Sequence, residues 1–193
     1  MTLGQVVINV LLIATVPTAV LIRYRSQRGT VHRGVVAGAI SAALVVTALL
    51  AVRRNITISA NTTSVAVVIA EEAVKFAAVY GLLWFRTIVS SGATGAADAH
   101  STAPAATGWS VGAGFATAEH LLYVTASSRI VLLRILTAGV IHTVTARCYS
   151  GVLASPPRRN HTFRVAATLG AGVLLHLSYN VLAQRLDQIP ALW

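Results

Sequence analysis

The sequence predicts an all-α polytopic membrane protein, a bundle of about six transmembrane helices with both termini extracytoplasmic. Three observations predict it. Apolar residues make up 55% of the 193-residue chain and charged residues only 10%, against about 25% charged in a soluble domain. Several apolar runs approach the ~20 residues that a helix needs to cross a bilayer. Arginines are concentrated between and at the ends of those runs, where they orient helices and meet anionic headgroups. This composition excludes a water-soluble enzyme and a disordered chain. The basic excess, 15 Lys and Arg against 5 Asp and Glu, belongs to the same pattern. No basic stretch is interleaved with aromatic residues, so nucleic acid is not an expected partner and the lipid bilayer is.

The whole chain, 1–193, reads as a single transmembrane domain. The spans are expected near 3–22, 34–52, 62–85, 108–126, 130–148 and 164–184. The first ends at Arg23, Arg25 and Arg28, the second at Arg53 and Arg54, and the third at Trp84, Phe85 and Arg86. The first run has no basic residues before it and its positive charges come after it, which suits a retained helix better than a cleaved signal peptide. Arg23, Arg25, Arg28 and Arg33 lie between spans one and two, and Arg147, Arg158, Arg159 and Arg164 between five and six. Both connections are therefore expected on the cytoplasmic side, with the 86–107 segment, which puts both termini outside.

Segment 86–107, rich in Ser, Gly, Ala and Thr, reads as a flexible loop. Its Asp98 and His100 are read as solvated loop residues. No internal repeat of fixed period is present. A single cysteine, Cys148, excludes an intramolecular disulfide and a cysteine metal cage. Asn55, Asn61 and Asn160 each head an Asn-X-Thr sequon, a signal short enough to arise by chance.

The acids carry the functional information. Of five acidic residues, Glu71, Glu72 and Glu119 fall inside expected spans. An ionisable group at membrane depth costs about 2.5–3.5 kcal/mol for Asp on insertion scales, and such a residue is a functional hypothesis by default. His142 and His176 lie in the fifth and sixth spans, with His120 beside Glu119. In Glu71-Glu72-Ala-Val-Lys75, the lysine is four residues from one carboxylate and three from the other, so it can reach either along the helix. Adjacent helical residues point about 100° apart, so one Glu can pair with Lys75 while the other faces a polar cavity. An ion pair that merely fixes packing would account for Lys75 and one Glu and leave the second unexplained. Gly112 and Gly114 allow close helix approach beside Glu119. His176 and Asn180, four apart, share one helix face. Imidazole and carboxylate are the ligands that zinc takes in catalytic sites. Without a metal the same groups could polarise water directly.

The order Glu71-Glu72-x-x-Lys75, Phe115-x-x-x-Glu119, a histidine in the next span, and His176-x-x-Tyr179-Asn180 resembles the PrsW-type intramembrane proteases. These are grouped with the CAAX prenyl protease and bacteriocin-processing membrane proteins, and more distantly with the scaffold subunit of γ-secretase. The resemblance covers spans three to six. In the prenyl-protease branch the second motif carries His where this chain has Glu119, and the first ends in Arg one residue later than Lys75; both differences favour the PrsW branch. His120 stands where that branch commonly has Asn.

The resemblance implies a multi-pass endopeptidase of a prokaryotic plasma membrane that hydrolyses a peptide bond of a membrane-anchored protein. It implies Glu71, Glu72 and Asn180 as catalytic residues, Glu119, His142 and His176 as metal ligands, and Lys75 in a supporting role. One of the paired glutamates would activate water and Asn180 would support the oxyanion. The implied cofactor is a divalent metal, zinc by its ligand set, beside a glutamate-dependent mechanism without metal. Two other classes fit the same residues: a non-catalytic membrane scaffold, and a small proton- or cation-coupled transporter.

Overall fold

The computed structural model describes residues 2–55, 60–91 and 102–186. Asp98 and His100 lie outside them. Six helices run in order: α1 Leu3–Arg23, α2 Arg28–Asn55, α3 Ala60–Ser91, α4 Ala103–Leu121, α5 Ser128–Leu153 and α6 His161–Leu186, with no strand among the described residues. A short 3-10 turn, Arg25–Gln27, joins α1 to α2. The all-α polytopic fold class is as the composition implies.

Among the described residues, four segments are long and apolar enough to cross a bilayer: Leu3–Arg23, Arg25–Ala51, Ser128–Leu153 and His161–Ala183. The remaining two expected spans, α3 and α4, do not meet that measure, for different reasons. α3 carries Glu71, Glu72 and Lys75 within little more than one turn. α4 is built largely of Ala, Gly, Ser and Thr, and most of it is buried against other helices. A helix surrounded by protein has no need of a lipid-facing apolar surface. Both ends of the expected 86–107 loop are helical, since α3 continues to Ser91 and α4 starts at Ala103. Pro104 marks that start, in the first turn where its missing N–H costs nothing. α4 also ends at Leu121, earlier than the expected boundary near 126.

Around this axis the packing is close because the side chains are small. A Cβ on Gly114 would overlap the Val35 carbonyl of α2, and one on Gly112 would overlap Thr143 Cα of α5. Glycine is thus required where α4 crosses its two neighbours. Apolar contacts fill the rest. Val20, Val31, Ala106 and Ala113 form one buried cluster between α1, α2 and α4. Val79, Val111, Ala146 and Tyr149 form another between α3, α4 and α5. α1 is fastened to the start of α5 by a polar clasp: Asn9 Nδ2 donates to the Val124 and Ala126 carbonyls, each at 2.8 Å, and Ser128 Oγ donates to Asn9 Oδ1 at 2.8 Å.

Large apolar side chains such as Ile22, Leu44, Leu136, Phe163 and Leu174 point outward, while Glu72, Lys75, His142 and His176 point inward. In water this arrangement would expose far more contiguous apolar surface than a soluble monomer tolerates. In lipid it is the favourable one.

Candidate active site

α3, α4, α5 and α6 each send ionisable side chains into one cluster. From α3 come Glu71, Glu72 and Lys75; from α4, Glu119; from α5, Arg134 and His142; and from α6, His176.

The cluster has a closed layer. Glu72 and Lys75 are fully buried, and Lys75 Nζ donates to Glu72 Oε1 at 2.5 Å. Glu72 Oε1 also accepts from His176 Nδ1 at 2.9 Å, and Glu72 Oε2 accepts from the Tyr149 hydroxyl at 2.6 Å. Three donors from three helices therefore engage both oxygens of this carboxylate. The ammonium is equally occupied, because Nζ also donates to His142 Nδ1 at 2.8 Å and approaches Thr145 Oγ1 at 3.5 Å. The Phe115 ring lies 5.0 Å from Nζ and 5.0 Å, centroid to centroid, from the His142 ring. Lys75 thus selects Glu72, although sequence spacing alone allows Glu71 as well.

A more open layer faces the other way. Glu71 and Glu119 keep side-chain exposures of 15% and 16%, against 0% for Glu72. Glu119 bridges two residues of α5: Oε1 accepts from Arg134 Nη2 at 2.5 Å, and Oε2 accepts from His142 Nε2. Glu71 Oε2 lies 3.5 Å from His176 Nε2. The two imidazoles meet edge to face, with centroids 4.9 Å apart. Both Nε2 atoms are thereby turned towards the two partly exposed carboxylates.

One backbone irregularity makes this possible. Arg134 and His142 are eight residues apart, which in a regular helix separates their directions by about 80°. Residues Ile135–Gly139 form a π turn. A π turn accommodates one extra residue, which rotates the rest of the helix back by about 100° and aligns Arg134 with His142 towards Glu119. Thr143 Oγ1 donates to the Gly139 carbonyl at 2.9 Å beside this turn.

Six of the residues named from sequence, Glu71, Glu72, Lys75, Glu119, His142 and His176, are therefore brought together. Asn180 is half-buried one turn beyond His176 and makes no hydrogen bond among the described residues. His120 points elsewhere: it is buried against Gly139, and neither ring nitrogen has a hydrogen-bond partner among the described residues. Sequence motifs do not single out Tyr149 and Thr145. With His142 they occupy positions i, i+3 and i+7 of α5, a spacing that marks one helix face, and that periodicity is the available signal.

Metal chemistry fits the donor set. Glu72, His142 and His176 offer buried ligand atoms within 4.8 Å of one another. His176 is also oriented as metal-binding histidines are, with Nδ1 fixed by a carboxylate and Nε2 left to offer a lone pair. The Lys75 ammonium is the discordant member, a cation already lodged between Glu72 and His142.

No curated protein and no solved structure matches the chain. The model of the PrsW family intramembrane metalloproteases matches residues 26–192, from the start of α2 to beyond α6, and the chain belongs to that family of membrane-embedded proteases.

Proposed function

We propose that the protein is an endopeptidase that cleaves a membrane-anchored protein, with Glu71 as the group that activates the hydrolytic water. The observation that carries this reading is the division of the cluster into two layers. Glu72 has both oxygens engaged by Lys75, His176 and Tyr149, and side-chain exposure of 0%. A carboxylate so engaged and so fully buried orients its neighbours and is closed to a reactant. Glu71, with 15% exposure, has the His176 ring 3.5 Å from its Oε2. A general base must reach the proton that it removes, directly or through one water, and Glu71 is the paired glutamate that can.

The remaining roles rest on position. His176, held through Nδ1 by Glu72, presents Nε2 to the space beside Glu71. His142 and Glu119 border the same space, and Arg134 balances the Glu119 charge. His176 and His142 would hold a divalent metal with one carboxylate, Glu119 in preference to the nearby Glu72, whose oxygens Lys75 and Tyr149 engage, and zinc is the ion that best matches two imidazoles and a carboxylate. When bound, such an ion acidifies a water molecule and polarises the scissile carbonyl. Asn180, on the face of α6 that carries His176, is the donor available to a developing oxyanion. α3 and α4 would complete a six-span bundle, each shielded from lipid by its neighbours.

The test is cleavage of a quenched, membrane-anchored peptide by pure protein in liposomes. Cleavage should be lost with a chelator and restored by zinc. Asn180→Ala should slow the chemical step by about 2.7–4 kcal/mol, as expected for an oxyanion donor. Absence of cleavage of any membrane-anchored peptide, by protein shown to be folded and zinc-loaded, would favour the scaffold or the transporter instead.

A further inference from the structure

We infer that the Lys75 ammonium is a tethered cation that competes with a divalent metal for this cluster, holding His142 in the tautomer that cannot ligate through Nε2. The inference rests on the metal-binding part of the proposed function, and on neither the substrate nor the identity of the base.

The hydrogen-bond directions carry it. An ammonium has three donors and no acceptor, so the 2.8 Å contact between Lys75 Nζ and His142 Nδ1 requires Nδ1 to be the acceptor. A neutral imidazole with a bare Nδ1 has its proton on Nε2, and that atom is bonded to Glu119 Oε2. His142 therefore presents an N–H where a metal needs a lone pair. His176 is the internal contrast, because Nδ1 donates to Glu72 and a neutral ring then carries its lone pair on Nε2, 3.5 Å from Glu71 Oε2. The two histidines thus differ in readiness, and Lys75 makes the difference.

Charge points the same way. The cluster holds three carboxylates, Glu71, Glu72 and Glu119, and two basic side chains, Lys75 and Arg134. With the carboxylates ionised its net charge is one negative, and a divalent ion would overshoot to one positive in a medium of low dielectric. Without Lys75 the same ion would bring the cluster to neutrality. Lys75 is fully buried and its neighbours are Glu72, His142, Thr145 and the Phe115 ring. In this position it keeps Glu72 compensated when metal is absent, and it must loosen its hold on His142 for metal to enter.

The experiment is zinc titration of chelator-stripped, full-length protein in detergent, by calorimetry with a zinc buffer, alongside thermal unfolding with and without zinc. Lys75→Met removes the charge at similar length. Lys75→Gln, whose amide can still donate to Glu72, covers the case in which the Met variant fails to fold. The expected result is zinc binding at least about tenfold tighter than wild type, the direction that removal of a nearby like charge dictates. It should come with lower stability in the absence of metal and a larger zinc-dependent rise in Tm. Cobalt should report the same change as a stronger visible absorption band from a more complete ligand set. Equal or weaker zinc affinity in a folded variant would overturn the inference. So would the absence of zinc binding in wild type and variants alike. In that last case, cleavage of the anchored peptide by metal-free wild type would show that the peptidase reading survives without the metal.

Discussion

Replacing Tyr149 by Phe removes one atom from the closed layer and tests whether Glu72 is held as an ionised, fully compensated carboxylate. The hydroxyl donates to Glu72 Oε2 at 2.6 Å, and both side chains are fully buried. The ring itself is held by other contacts, including an edge-on approach to Phe76 with centroids 5.6 Å apart, and Phe keeps them. Neutral interhelical hydrogen bonds in membranes average only about 0.6 kcal/mol. A bond to a charged acceptor is worth about 1.5–3 kcal/mol, and the abandoned oxygen has no water to turn to. We therefore expect a loss of about 2 kcal/mol, close to thirtyfold in the folding equilibrium, measured by reversible unfolding in mixed micelles. In a Glu72→Gln background the same substitution should cost only about 0.6 kcal/mol, the neutral value. A loss below about 0.5 kcal/mol in the wild-type background, within the range of an inconsequential surface change, would show that Glu72 is not held as an ionised carboxylate by this hydroxyl.

Gly112→Val should be severe, because its Cβ would meet the backbone of Thr143 and His142 and neither can yield; a loss of about 1–3 kcal/mol or more is expected, with activity falling too as α4 and α5 separate. Gly81→Ala is the counterpart: nothing lies within 4 Å of its Cβ position, and the change should be neutral or stabilise α3 by up to about 1 kcal/mol in unfolding measurements. A reporter fused to the C-terminus should behave as extracytoplasmic and one inserted near residue 97 as cytoplasmic, by the distribution of arginine; the opposite pattern would show that α3 or α5 does not cross.

Much of the site is legible in the sequence because acids are so costly in lipid. Glu71, Glu72 and Glu119 stand out of an apolar chain without any knowledge of the fold, and His142 and His176 stand out beside them. What spacing cannot decide is which glutamate Lys75 takes, since both are within about one helical turn. That choice depends on Tyr149 and His176, which converge on Glu72 from other helices. Arg134 is visible as a charge in a span, but its alignment with His142 depends on a π turn that no periodicity announces. Hydropathy misjudges α4 at both ends. Its first turn, Ala103 to Ala106, is too weakly apolar to signal a span, and the apolar Leu121-Leu122-Tyr123 run invites an extension, whereas the helix ends at Leu121. The clasp through Asn9 escapes notice because a lone amide in an apolar run carries no motif.

In the proposed function the paired glutamates divide their labour, Glu71 for chemistry and Glu72 for structure. Measuring cleavage and unfolding stability together for Glu71→Gln and Glu72→Gln tests it most directly. Glu71→Gln should abolish cleavage of the anchored peptide while stability stays within about 1 kcal/mol of wild type, since the residue is partly exposed and makes no buried pair with Lys75. Glu72→Gln should destabilise by about 3–5 kcal/mol, because Lys75 is left as an uncompensated buried charge. Wild-type cleavage by Glu71→Gln, or an unchanged stability in Glu72→Gln, would rule out this division.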